Sequence, residues 1–556
     1  MMNKLFSILS LLMLSVNCFA NINGTFIQSW LYSYWNDERW EKEIALMKEV
    51  GINEIIMGDV ASRNSHSEPW NCNYPSQLPN IKVSEDETTK ILKKAKEGNM
   101  KLYLGLGSDS RWWNWNLCND NDYKEFSDAM EMACSIAREL HTIYKKEYST
   151  TFAGYYSVYE IWNHIEWNDP QRRSLYAKRM AEQFNRLIDT LNAIDPTMPL
   201  LFSPFATQAD WCANIENTQA FYEEFFQKCH FRDMDGMLPM DNIGGGGQTI
   251  DSVEPWYTMY ANAIKNSNGK PQCYANIESF VQPADSLLYD TESTPLFGIN
   301  YWGSASIGRF IKQLEFAKNY ADKIYTFAYS HYQSPTNNIP GIHENLIEYL
   351  QNKTIDTTPP SLPLKVMYEM SDIVNTANYS TQKIFKLTWS DDYYDEKGIL
   401  RVNLYKDGNC IAYRTSTRNE SGNIAHEPDF ILYPNYSASD QTYYEIGFVD
   451  TWGNEKRSTP FNIDLNLGEN NLEESTSSLV ADSNNNSIEN NLNFTHSTLF
   501  SLNIREEGLY EINFYSLAGT LIAHKKQWMK VGNNLIEISN HLQKRPFLIQ
   551  KKYLKK

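Results

Sequence analysis

Between Gly24 and about Tyr332, short apolar runs alternate with longer stretches in which apolar residues recur every three to four positions. The short runs predict strands at Thr25–Trp30, Glu54–Asp59, Lys101–Gly107, Gly154–Glu160, Leu200–Phe205, Gly236–Asp241, Gln272–Glu278 and Lys323–Tyr329. The longer ones predict helices at Trp40–Val50, Glu87–Glu97, Tyr123–Glu147, Arg172–Ile194, Thr218–Lys228, Pro255–Ile264 and Ile307–Tyr320. Strict strand–helix alternation implies a parallel sheet, and eight rounds of it imply a closed (β/α)₈ TIM barrel over residues 21–352. A doubly wound open sheet is the competing arrangement. It calls for a glycine-rich first turn, and no GxGxxG follows any of these strands.

The pattern changes after Lys353–Pro363, where Asp356-Thr357-Thr358-Pro359-Pro360 reads as a stiff linker. Apolar and polar residues then alternate in period two through Phe385–Trp389, Leu400–Tyr405 and Tyr443–Val449, with Lys406-Asp407-Gly408 as a hairpin turn. Residues 364–465 are thus expected to form an all-β sandwich. An Asn-, Ser- and Glu-rich stretch at 466–492 reads as a disordered linker. A small β domain follows at 493–556. At the other end, Lys4, the apolar run Leu5–Val16 and Cys18-Phe19-Ala20 make a secretory signal peptide of residues 1–20, too short to span a bilayer. Cys18 leaves a lipoprotein open as the alternative.

Composition narrows the function. A formal net charge of −18 argues against nucleic acid as a partner, because that role needs a basic face. Removal of the signal peptide leaves seven of the eight cysteines, with no CxxC pair, so neither a disulfide framework nor a zinc cluster is expected. Twelve of the fifteen tryptophans fall before residue 345. Indole faces make a floor for sugar rings, although large rings also simply fill large cores.

A TIM barrel carries its chemistry at the C-terminal ends of its strands. Read in order, those ends supply Gln28, Trp30, Asp59, Asp109 with Trp112 and Trp113, Glu160, Ser203, Asp241, Glu278, Tyr329 and His331. Asn163, Tyr274 and Trp302 complete the residues expected to contact substrate. The set is acidic and aromatic with almost no cation, which suits a neutral polyol better than a phosphate. Glu160 and Glu278 end the fourth and seventh strands. Glycosidic cleavage needs one carboxylic acid to protonate the leaving oxygen and a second carboxylate to attack or to activate water. A glutamate picked at random would more often pair with a cation or cap a helix.

Other motifs weigh less. The run Gly244–Gly247 lacks the Gly-Lys-Ser/Thr of a phosphate loop and is expected to form a mobile loop over the cleft. His164 and Glu166 form a lone HxE, which is weak support for a metal, and no metal or organic cofactor is implied. No Gly-x-Ser-x-Gly elbow is present.

The strand-four and strand-seven glutamates resemble those of the large retaining (β/α)₈ glycosidase superfamily. That resemblance implies Glu160 as acid/base and Glu278 as nucleophile, though Tyr159 stands where the superfamily prefers Asn. The whole first domain is similar to the secreted bacterial barrels called domain of unknown function 4434. The residues that carry this are Gly24-Thr25-Phe26-Ile27-Gln28, Leu104–Gly107 with Trp112-Trp113, Gly154-Tyr155-Tyr156 to Glu160, Asn276–Phe280 and Thr326–Pro335. Residues 364–465 resemble a fibronectin type III-like module, on Tyr443–Asp450 and Trp452-Gly453-Asn454. The end of the chain resembles the C-terminal sorting domain of type IX secretion, on Leu509–Gly519, Gly532–Ile538 and the terminal lysines. Together these imply a secreted or surface-attached protein of a Gram-negative bacterium that acts on carbohydrate. A non-catalytic carbohydrate-binding surface protein is the alternative.

Overall fold

The computed structural model describes residues 22–281, 303–337, 341–375, 380–390, 392–406, 408–415, 430–432, 443–462, 469–471, 498–504, 508–516, 521–529, 532–538 and 547–555. The expected signal peptide, most of the expected linker at 466–492, and Trp302 lie outside them.

The first unit is a parallel, nearly closed barrel of the TIM-like α/β kind. Its strands are β1 (Gly24–Ile27), β2 (Glu54–Arg63), β3 (Lys101–Asp109), β4 (Phe152–Ser157), β5 (Leu200–Phe202), β6 (Gly236–Met237), β7 in two runs (Gln272–Cys273 and Ala275–Glu278) and β8 (Ile324–Phe327). Each pairs in parallel with the next, and β8 pairs back onto β1 through Gly24↔Tyr325 and Thr25↔Thr326. Tyr274 splits β7, so its first run pairs with β6 and its second with β8. Phe26, Ile56, Tyr103, Tyr156, Leu201, Leu238 and Tyr325 point inward and fill the barrel.

Helices follow the strands: α1 (Asp37–Glu49), α2 (Glu87–Glu97), α3 (Asp120–Tyr144), α4 (Pro170–Ile194), α5 (Ile215–Lys228), α6 (Val253–Asn266), α7 (Ile307–Ala317) and α8 (Ile342–Asn352). Several begin earlier than apolar spacing alone predicts, because a polar side chain caps the first turn. Asn36 accepts from Arg39 N–H, Asn119 from Asn121 N–H, and Asp169 caps α4 ahead of Pro170. β2 runs on past Asp59 to Arg63 through an irregularity near Gly58, and its end pairs with a short antiparallel strand, Trp70–Cys72. No described helix is long and apolar enough to cross a membrane.

Beyond the barrel lie two four-stranded antiparallel sheets. One orders Phe430–Leu432, Ser380–Trp389, Lys365–Asn375 and Glu469–Asn471; the other orders Asn409–Thr415, Ile399–Lys406, Tyr444–Asp450 and Glu455–Arg457. Val366, Leu387, Trp389, Leu404, Ile446 and Phe448 form a core between them. Five further strands between Thr498 and Lys555 make a pair and a triplet.

Candidate active site

The chain after β4 turns so that Glu160 and Tyr159 face opposite ways. Tyr159 is buried against Trp112 and Phe126, with ring centroids 5.4 and 5.5 Å away. Trp112 donates its indole N–H to the Glu160 carbonyl at 2.9 Å, which fixes the backbone there. The Glu160 carboxyl has no hydrogen-bond partner among the described residues, and burial alone pushes it up to about 7.

Glu278, at the end of β7, is buried and held from three sides. Its Oε2 accepts the Gly245 N–H at 2.8 Å, and its own N–H reaches Asp241 Oδ1 at 3.3 Å. Its carbonyl accepts from Arg309 at 3.0 Å and from Gln313 Nε2 at 3.1 Å. Gln313 also donates to Asp241 Oδ2 at 2.6 Å. Arg309 Nε donates to Gln313 Oε1 at 3.1 Å, which orients that amide. Burial raises both the Asp241 and the Glu278 carboxyls, and Glu278 is raised further by the charges of Asp241 and Glu160. Two buried carboxylates coupled in this way do not both ionise near neutrality, so the pair retains a proton there. Arg309 is itself pushed down to about 10 by burial and remains a cation.

The Gly244–Gly247 run, expected to form a mobile loop over the cleft, lies against Glu278 as a hydrogen-bonded turn: Gly246 N–H reaches Ile243 O at 3.1 Å, while Gly247 and Gln248 N–H both reach Asn242 O at 3.0 Å. A Cβ on Gly244 would stand 2.6 Å from Phe280 O and 2.9 Å from Glu278 Oε2, so only glycine lets the turn close on the carboxylate.

Among the other expected site residues, Trp30 is 44% exposed, donates to Gln28 Oε1, and sets its ring edge-to-face on His331 at 5.1 Å. Burial pushes the His331 imidazole down to about 3, so it is neutral. Trp113 is half-buried near Phe205, at 6.3 Å. Asp59 accepts from Ser108 and is raised by burial.

Five expected contacts are engaged elsewhere. Trp112 is buried in the wall behind Glu160. Asp109 is fully enclosed by Arg63 at 2.6 Å and Arg111 at 2.7 Å. Asn163 is buried and uses its whole amide on the next loop, with bonds to Thr207 O, Ala213 O and Thr207 N of 2.9, 2.8 and 3.0 Å. Tyr274 lies at the opposite, N-terminal mouth, its ring under Lys323 at 5.5 Å and beside Tyr325 at 6.2 Å. Tyr329 is buried with its hydroxyl on His343 Nδ1 at 2.7 Å. Glu166, of the HxE, is bonded to Arg172 at 2.6 Å and Asn116 at 2.8 Å. Among the described residues no group of three or more His, Cys, Asp or Glu could hold a metal ion.

The expectation of almost no cation is corrected by Arg63, Arg111 and Arg309, which all stand at this end of the barrel. Sequence reading also passed over Gln313 and the half-buried pair Trp162 and Trp211, whose rings meet at 5.9 Å one loop beyond Glu160. A signal for Gln313 existed: it sits beside Leu314 on the face of α7 that also carries Phe310 and Ala317, all buried.

A parallel barrel with carboxylates gathered at the C-terminal ends of β4, β6 and β7 is thus the class of molecule in hand. The chain belongs to the family of the domain of unknown function DUF4434, whose model matches residues 22–339. No curated protein matches it. Similar solved structures include a candidate alpha-L-fucosidase from Bacteroides thetaiotaomicron, 21% identical over 60% of this chain and 94% of that one, with a TM-score of 0.45. An intracellular xylanase from Thermoanaerobacterium saccharolyticum is 14% identical over 55% and 84%, with a TM-score of 0.30. A beta-glucuronidase from Bacteroides uniformis is 11% identical over 96% and 65%, with a TM-score of 0.35.

Proposed function

We propose that the barrel is a retaining glycoside hydrolase acting on an extracellular polysaccharide or glycan, with Glu160 as acid/base and Glu278 as nucleophile. The observation that carries this reading is the pair of environments. Glu160 is half-buried, its carboxyl has no hydrogen-bond partner among the described residues, and desolvation keeps its proton available near neutral pH. Glu278 is gripped by Gly245 N–H and by its main-chain bonds, which aims its other oxygen. In the first step the ionised form of Glu278 bonds to the anomeric carbon while the bond to the leaving oxygen breaks and Glu160 protonates that oxygen. In the second step Glu160, now a carboxylate, takes a proton from water, and that water displaces Glu278. Trp30 on one side and Trp162 with Trp211 on the other supply apolar faces for sugar rings.

The expected pH dependence follows from Glu160. A carboxyl raised to about 7 is protonated below that pH, so acid assistance is lost as the pH rises through it. Glu160→Gln should remove this alkaline limb and slow glycosides with poor leaving groups by roughly 10²–10⁴-fold. Aryl glycosides with acidic phenols, which need no proton, should be slowed far less in the glycosylation step. Equal losses on both kinds of substrate would overturn the assignment.

We also read residues 1–20 as a signal peptide, 21–352 as the catalytic domain, and 364–465 as a fibronectin III-like module. The linker read at 466–492 loses its first part to this module, because Glu469–Asn471 pairs with Lys365–Met367, and a type IX sorting-like domain at 493–556 completes the organisation. It places the protein outside the cell or on its surface. The amino-terminal residue of protein recovered from the medium and the outer membrane checks it: Met1 still in place would contradict export by cleavage.

A further inference from the structure

The β unit that follows the barrel reads in sequence as a spacer or binding support with no catalytic constellation. Its turn at Asp450–Asn454 nevertheless touches α7, the helix that carries Arg309 and Gln313. Ile307, the first residue of α7, donates its N–H to the Thr451 carbonyl at 2.7 Å. Gly308 lies so close that a Cβ there would stand 2.4 Å from Trp452 O. Trp452 is 6% exposed and packs into the barrel's own core, together with Leu400.

The turn is itself rigid. Asp450 Oδ1 accepts from Gly453 N–H at 2.7 Å and Asn454 N–H at 2.8 Å, and Gly453 takes φ +97. It is also tied to α8: Asn345 donates to Thr451 Oγ1 at 2.6 Å and to Lys397 O at 3.0 Å. Two residues into α7 comes Arg309 and six residues in comes Gln313, the side chains that hold Glu278 and Asp241.

We propose that the Asp450–Asn454 turn is a positioning element of the active site, seating the amino end of α7 so that Gln313 meets the Asp241 carboxylate and both Arg309 and Gln313 meet the Glu278 carbonyl. This inference rests on the assignment of Glu278 as a functional carboxylate. The charged and titratable groups that face the Asp241–Glu278 pair are Glu160, Arg309 and Tyr257, and Arg401 of the second unit bears on Arg309 from behind.

The test compares the full chain with Gly308→Ala, which wedges the helix off the turn, and with Asn345→Ala, which removes the turn's tie to α8. Glu348→Gln is the control, since it breaks the Lys397–Glu348 ion pair of 2.8 Å in the same interface without touching α7. The readout is infrared titration of buried carboxyls, with Glu278 assigned by difference against Glu278→Gln; it needs no substrate. Gly308→Ala should move the Asp241–Glu278 titration by about one pH unit, Asn345→Ala by less, and Glu348→Gln not at all. A wedge variant that loses thermal stability but titrates like the wild type would reduce the turn to a structural clamp and overturn the proposal. If Gly308→Ala does not fold, Asn345→Ala decides on the same readout. Full turnover in Glu278→Gln would instead sink the glycosidase reading and leave the titration result standing.

Discussion

Glu278→Gln leaves a folded protein that does not turn over. Glutamine keeps an acceptor for the Gly245 N–H, and the main-chain bonds to Asp241 and from Arg309 and Gln313 do not involve the side chain. It cannot attack an anomeric carbon, so the expected loss in kcat is roughly 10³-fold or more, about 4 kcal/mol of transition-state stabilisation. Stability moves the other way. A carboxyl whose folded pKa lies above its unfolded value costs stability as the pH rises above the unfolded value, and Glu278 is raised by burial and then by Asp241. Removing it should therefore lift the melting temperature at neutral and alkaline pH and change little at pH 4. The measurement is hydrolysis of whichever aryl glycoside in a panel the wild type accepts, with melting curves at several pH values. Retained turnover would refute the nucleophile.

Asp109→Ala is expected to hurt stability rather than substrate affinity. The Asp109 side chain is fully enclosed and neutralises two guanidinium groups, Arg63 over Trp70 at 4.8 Å and Arg111 over Trp115 at 5.3 Å. Removing one partner of a buried ion pair strands the other charge, at a cost of about 3–5 kcal/mol. Burial pushes the Asp109 carboxyl up, but bonds from Arg111 and Arg63 outweigh it and the net shift is downward. With a folded pKa below the unfolded one, the stabilisation is present above about pH 3.9 and is lost as the pH falls through the folded value. Urea midpoints of wild type and variant should therefore differ widely at pH 7 and converge in acid. Equal midpoints with a raised KM would return Asp109 to the substrate.

These two residues illustrate what a sequence can and cannot announce. Glu278 closes a predicted strand and Asp109 stands two residues past one, and strand-end logic picked both. The barrel itself was legible because apolar period and strand–helix alternation report burial directly. Strand lengths were less so: Leu200–Phe205 and Gly236–Asp241 shrank to Leu200–Phe202 and Gly236–Met237, where Pro204 and Pro239 offer no N–H to the ladder. What separates Glu278 from Asp109 is the company each keeps. Arg63 arrives on a strand extension past an irregularity, and Trp70 on the short strand paired with that extension, neither of which carries a hydrophobic signature. Asn163 likewise looked like a sugar contact beside Glu160, but its amide matches the spacing of two backbone carbonyls one loop away. Arg309 and Gln313 come from a helix, where a rule about strand ends does not look.

Closure of the barrel has a consequence for the order of events in the living chain. Thr25 bonds to Thr326 O across 301 residues, so the first strand waits for the last. At 5–20 residues per second, a ribosome needs roughly 15–60 s to deliver that partner. Thr451, the seat of α7, emerges later still. Until β8 is made, the first strand lacks that partner, and the nascent chain cannot close the barrel. The contact between Ile307 and Thr451 can form only when more than four-fifths of the chain has been made.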